Sequence, residues 1–118
     1  MTDAPFDNGL RRTLRSMAWL PGIVRLPLRS FLIGRTIPFV GTAGLRIERL
    51  DESEVVVSIA NHRGARNHIG TLHAAAMALL AETASGLALG MHVRDDAIPV
   101  IQRLVVSYEK RARARCAP

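Results

Sequence analysis

The sequence predicts an α+β domain in which an antiparallel sheet wraps one long central helix. Three stretches carry that reading. Leu72–Met91 is Ala, Leu and Met, interrupted only by His73, Glu82, Thr83, Ser85, Gly86 and Gly90. Ala, Leu and Met are strong helix formers, and no proline follows until Pro99. Leu45–Leu50 alternates apolar and charged residues, the period of a half-buried strand. Val55–Ile59 is rich in β-branched residues, which suit a pleated surface. Asp51–Glu54 lies between these two stretches as a polar turn, so they read as an antiparallel hairpin.

Taken in order, residues 1–9 are polar. From Leu10 to Ser30, arginines mix with apolar residues. Leu10, Leu14, Met17 and Leu20 share a helical spacing, with Arg11, Arg12 and Arg15 elsewhere on the wheel. Pro21-Gly22 breaks the pattern and Pro27 breaks it again, which predicts one amphipathic helix and a short second piece. The segment suits an interfacial membrane helix or a lid over an acyl site. The simpler reading is a docking helix with a solvated basic face. Pro38 and Gly41–Gly44 read as a loop.

Asn61–His68 is an irregular polar loop leading into the long helix. Gly70 lets the chain turn in, Thr71 is the expected N-cap, and Gly90 can end the helix. Arg94–Ala97 turns the chain, and Val100–Glu109 reads as a third strand. Arg111–Pro118 has no strand character. The helix is apolar around nearly its whole circumference, so it is expected to be buried on all sides or to lie in a membrane. Glu82 at its centre opposes a membrane span, where a carboxylate costs about 2.5–3.5 kcal/mol. Many small residues (Ala74, Ala75, Ala78, Ala81, Gly86) suit close approach of protein backbone. Three strands cannot wrap such a helix. Either further strands are missing from the chain or another subunit supplies the cover.

A chain of 118 residues fits one domain. The net charge of +6 favours anionic partners: nucleic acid, an acidic membrane surface or a phosphate-bearing molecule. Aromatic residues make up only 4% and do not interleave with basic ones, so no nucleic-acid partner is expected. Cys116 cannot pair within the chain, and low cysteine fits a reducing compartment. Asp3 and Asp7 occupy the region where a secretory signal is positive, so a cytoplasmic location is expected.

The candidate chemistry lies at the start of the long helix. His73 and Glu82 are nine residues apart and fall on opposite faces of one helix. A site that uses both is composite, and a two-fold dimer supplies both halves twice. Free N–H groups near Ala74 and Ala75 could polarise a carbonyl and hold a developing oxyanion. A carboxylate in apolar surroundings suits a general base acting on water. Together these suggest acyl transfer or hydrolysis. Each residue also has a plain structural role open to it: Glu82 paired with an arginine, His73 capping the helix, Asn67 holding a turn. His62, His68 and His73 match no zinc spacing and His92 is distant, so no metal is expected.

At these residues the sequence resembles hotdog-fold thioesterases. In their phenylacetate-degradation-type branch, an Asn precedes a His-Gly-Gly helix start and an acidic residue follows on the helix. Asn67, His73 and Glu82 agree in type, order and spacing. Gly70-Thr71-Leu72-His73-Ala74-Ala75 stands where the His-Gly-Gly segment would be. Leu80–Gly86 resembles the helix of an uncharacterised hotdog subgroup. The resemblance spans roughly Gly41–Lys110. It implies a hotdog fold over 41–118, preceded by an N-terminal amphipathic helical segment, 1–40.

By that resemblance Glu82 would activate water or attack the thioester carbonyl. Asn67 would orient the nucleophile or thioester. His73 and the helix-start amides would hold the carbonyl oxygen, with Gly70, Thr71, Ala74 and Ala75 binding substrate. The acid would come from the opposite subunit. The implied substrate is an acyl-CoA thioester, with coenzyme A only as part of it and no other cofactor. The implied assembly is a homodimer or homotetramer. Ala74-Ala75 replace the glycines and narrow the approach to the amides. The family continues for two more strands after the third, so the resemblance implies a C-terminally truncated chain. The resulting expectation is an acyl-CoA thioesterase-like hydrolase. The alternatives are a non-catalytic hotdog acyl-binding or interaction module, or a peripheral membrane protein that meets a membrane surface through Leu10–Leu32.

Overall fold

A computed structural model describes residues 6–113. Cys116 and the end of the 111–118 stretch lie outside the described residues. The first element is helix α1, Gly9–Ser16. Asn8 caps it, its side-chain oxygen accepting the Arg11 N–H at 2.9 Å. The same carboxamide donates to the carbonyls of Gly90 (2.8 Å) and Val93 (2.7 Å) at the far end of the long helix. Arg11 is buried beside it and donates to Met91 O at 2.6 Å and Phe6 O at 3.0 Å, with Glu52 at 2.9 Å. A buried guanidinium is tolerated only when its donors are met in this way. Two polar side chains thus fasten the amphipathic segment to the rest of the molecule.

The second helix, α2, runs Gly22–Thr36 with Pro27 inside it. This corrects the expectation of a short second piece. Pro27 fixes a helical φ and withholds one N–H, but Pro27 and Ile23 are both exposed, so solvent reaches the carbonyl left over. The expected loop at Pro38–Gly44 is also partly a helix, α3, Pro38–Ala43. Proline suits the first helical position, and Gly44 ends the turn in the left-handed region at φ 69°.

The hairpin forms as expected, β1 Leu45–Leu50 against β2 Val55–Ile59, antiparallel, with Leu45 opposite Ile59 and Leu50 opposite Val55. The register shifts between Ile47 and Arg49, making Glu48 a bulge. At the bulge the Ile47 N–H turns to Ser30 Oγ of α2 at 2.8 Å, and the Glu48 carboxylate accepts from the buried Ser58 hydroxyl. Val57, Ser58 and Ile59 are buried in succession, so β2 is covered on both faces. Helix α2 packs on β1 and the long helix on β2.

The long helix, α4, spans Ala74–Gly90. Ala76, Leu79 and Thr83 face the hairpin and are buried, while Ala75, Glu82, Ser85, Gly86 and Leu89 are exposed. All-round burial is therefore corrected. The sheet of the described residues has two strands and covers one side of the helix. The expected third strand, Val100–Glu109, is also corrected, because these residues form no ladder with either strand. They return along α4 instead. Pro99, Val100 and Ile101 lie against its second half, and the Tyr108 hydroxyl donates to Ala74 O at 3.0 Å at its start. Alternating residues make a strand only where a free edge is within reach. Among the described residues no helix is long and apolar enough to cross a membrane.

Candidate functional site

The loop before α4 is built by side chains that bond to nearby backbone. His62 caps the 3-10 turn Arg63–Ala65. Its Nδ1 accepts the Gly64 N–H at 3.2 Å, so Nε2 carries the proton and donates to Ala43 O at 2.7 Å. The ring fixes this loop to the end of α3. Asn67 closes the next turn. Its oxygen accepts the N–H groups of Ile69 (3.1 Å) and Thr71 (3.0 Å), and its amide nitrogen donates to Thr71 Oγ1 at 2.7 Å. Gly70 sits at φ 77°, a conformation that side-chain-bearing residues rarely adopt.

His73 caps α4, where Thr71 was expected to do so. Thr71 is buried as the partner of Asn67. His73 N–H donates to Ala65 O at 2.8 Å, and its Nδ1 accepts the Ala75 N–H at 3.0 Å. The ring proton therefore resides on Nε2, directed away from the cap. His73 and Ala75 line a cavity of about 260 Å³ whose other walls include Phe39, Thr42, Gly64 and Arg66. Arg66 is held in place by Asn61, donating from Nε to Asn61 Oδ1 and from Nη2 to Asn61 O, both at 2.9 Å. Exposed Ala74 and Ala75 leave the start of the helix open to a ligand.

Glu82 is exposed and lines a different cavity of about 140 Å³, with Ser85, Gly86, Leu89 and Pro99–Ile101. It lies about 13–14 Å further along the helix axis than His73, on the other side of the helix. One copy of the chain therefore does not bring Glu82 and His73 together. Asn67 lines neither cavity, its carboxamide engaged within its own loop. Gly70 and Thr71 belong to that loop, Ala75 lines the His73 cavity, and Ala74 lies outside its lining. Among the described residues no three His, Cys, Asp or Glu side chains gather as a ligand set.

Sequence reasoning missed Phe39, Thr42 and Arg66 as walls of the His73 cavity. Arg66 could have been suspected from its place one residue before Asn67. Phe39 could not, because its segment read as a loop. Tyr108 was also missed, having been assigned to a strand.

A family model described as a domain of unknown function, DUF4442, matches residues 27–117. Among solved structures, the crystal structure of the structural-genomics protein APC5556 superposes with a TM-score of 0.65 at 23% identity, covering 92% of this chain and 72% of that one. The crystal structure of PA5026 from Pseudomonas aeruginosa, a protein of unknown function and probable thioesterase, superposes with a TM-score of 0.64 at 28% identity. That likeness covers 75% of this chain and 60% of PA5026, so the chain spans less than two thirds of that protein. No curated protein matches the chain. The fold is thus α+β and like that of these two proteins.

Proposed function

The chain belongs to the DUF4442 family, and on that premise we propose that it is an acyl-CoA thioesterase-like hydrolase of the hotdog fold. The observation that carries this reading is the likeness to PA5026, a probable thioesterase, at 28% identity. The start of α4 supports it chemically. His73 presents Nε2–H at the mouth of a cavity beside the positive end of a helix, a suitable donor for a thioester carbonyl oxygen. Because Nδ1 takes the Ala75 N–H and His73 O takes the N–H groups of Ala76 (3.0 Å) and Met77 (3.2 Å), the histidine proton is the principal donor left at this end of the helix.

In this reading Glu82 of a second copy reaches the His73 cavity, in a homodimer or a homotetramer. Glu82 takes a proton from water as the water oxygen bonds to the thioester carbon. The tetrahedral oxyanion is held at His73, then the C–S bond breaks and the coenzyme A thiolate leaves to be protonated. Direct attack by Glu82 on the carbonyl is the variant of the same step. The net charge of +6 suits the phosphates of coenzyme A, and the setting is cytoplasmic.

A second reading, a non-catalytic acyl-binding module, is favoured by one observation. Asn67 and the Ala75 N–H are both engaged within the chain, so neither is offered to a substrate. Thiol release from a panel of acyl-CoA thioesters separates the two. The hydrolase reading expects release by the folded protein and its loss, by about 10²–10⁴-fold, in Glu82→Gln. A folded oligomer that releases no thiol but retains acyl-CoA selects the binding module.

A further inference from the structure

Helix α2 is turned the wrong way round for a docking helix with a solvated basic face. Its inner side holds Leu26, Ser30 and Ile33, and its outer side carries Ile23, Val24, Pro27, Phe31 and Arg35. At about 100° per residue these outer positions share one third of the circumference. Trp19, in the turn before α2, is 80% exposed, Ile23 85% and Phe31 60%. Phe39 of α3 is exposed as well. Large apolar side chains gathered on one solvent face mark a contact surface.

The segment that carries this face has charge of one sign, although Glu48 of β1 lies beside Pro27 and Ser30. Between Ser16 and Leu45 the chain has Arg25, Arg29 and Arg35 and no Asp or Glu. None of the three forms an ion pair among the described residues, whereas Arg11, Arg12 and Arg15 of the preceding helix each do. Arg25 Nε and Arg29 Nε are buried without a hydrogen-bond partner. Burial, and then the neighbouring charge of Arg25, push the Arg29 guanidinium below its usual range against the pull of Asp51, while its Nη1 donates to Leu50 O at 3.2 Å.

We propose that α2, with Trp19 before it and Phe39 after it, is a docking surface for an anionic lipid bilayer. The apolar side chains enter the boundary between headgroups and acyl chains, and Arg25 and Arg35 lie against lipid phosphates. Two features favour a bilayer over a second copy of the chain. A two-fold contact sets this face against itself and brings together two segments that hold arginines and no carboxylate of their own. Tryptophan with arginine is also the pairing that suits a membrane interface. No helix among the described residues can span a bilayer, so the contact is peripheral. This inference does not rest on the hydrolase reading, although the two share Phe39, which also walls the His73 cavity.

The test uses Trp19, the single tryptophan of the chain, as reporter. The full chain is mixed with vesicles of phosphatidylcholine alone or with added phosphatidylglycerol. The expected result is a blue shift of Trp19 emission and co-sedimentation with the anionic vesicles, both weakened by salt. Arg25→Gln and Arg35→Gln each weaken binding by about fivefold. Phe31→Ser weakens it further without altering the circular dichroism spectrum or the melting midpoint. The proposal is overturned if the folded protein ignores both vesicles or if Phe31→Ser binds unchanged. It is equally overturned if the shift appears without lipid, rises with protein concentration and tracks a dimeric mass, since the face then belongs to a second copy.

Discussion

His73 Nδ1 accepts the backbone N–H of Ala75 at 3.0 Å, so one ring both closes the first turn of α4 and keeps its proton on Nε2. The two consequences separate by mutation. His73→Ala removes the cap and is expected to cost about 0.5–2 kcal/mol of stability. His73→Asn restores a capping oxygen and should recover most of the melting midpoint. It does not restore the Nε2–H donor at the cavity. Thiol release should therefore fall about 10²–10³-fold in both variants. A variant with Asn at this position that is stable and fully active would remove His73 from the chemistry.

The Asn67 side chain makes three bonds within its own loop, its oxygen accepting two and its amide donating one. Asn67→Ala leaves the Thr71 N–H and hydroxyl unmet at a buried position, at an expected cost of about 1–3 kcal/mol in urea unfolding. Asn67→Asp keeps the acceptor and loses only the amide donor, so it should cost less. If Asn67 instead orients substrate, Asn67→Ala would change KM or kcat with little change in stability. Stability and kinetics measured on the same variant decide between the two.

The hairpin was legible because its alternation, its β-branched partner strand and its turn all agree, and Asp51 and Glu54 close the turn as that pattern requires. The Glu48 bulge was not, because it depends on Ser30 of a different helix offering an acceptor to Ile47. Val100–Glu109 has the composition of a strand but forms none, since pairing depends on an available edge rather than on the residues alone. Glu82 illustrates the same limit. Its helix is apolar all round, yet burial depends on what covers each face, and the described hairpin covers only the side of Ala76, Leu79 and Thr83. The opposed placement of His73 and Glu82 was legible from helix geometry alone. Capping by His73 rather than Thr71 was not, because Asn67 claims Thr71.

Two carboxylates, Asp51 half-buried and Asp95 exposed, make stability depend on acid pH. Asp51 is held well below the usual carboxylate range by the Ser53 hydroxyl, then by Arg49 and the backbone N–H of Ser53. Asp95 is lowered by the Gly9 N–H and by Arg12. Each folded value lies below its unfolded one, so the unfolded chain binds more protons on acidification. The stabilisation is complete above the ordinary carboxylate value of about 4 and is lost as pH falls through the folded values. Urea midpoints should drop between about pH 5 and about pH 2. Asp51→Asn and Asp95→Asn should each flatten that drop. Identical slopes in wild type and variants would show that other groups set it.

Gly41 and Gly86 both stand inside helices and should respond oppositely to alanine. A Cβ on Gly86 meets nothing within 4 Å, so Gly86→Ala should stabilise α4 by about 0.5–1 kcal/mol through reduced freedom of the unfolded chain. A Cβ on Gly41 would stand 2.7 Å from the Gly34 carbonyl oxygen, where α3 crosses α2. Neither backbone can yield as a flexible side chain would, so Gly41→Ala must separate the two helices, at about 1–3 kcal/mol. Thermal melts of both variants check the sign. Because Phe39 and Thr42 of α3 wall the His73 cavity, the Gly41 variant should also disturb any ligand held there. Stabilisation by Gly41→Ala would mean that α2 and α3 do not cross as closely as the 2.7 Å contact requires.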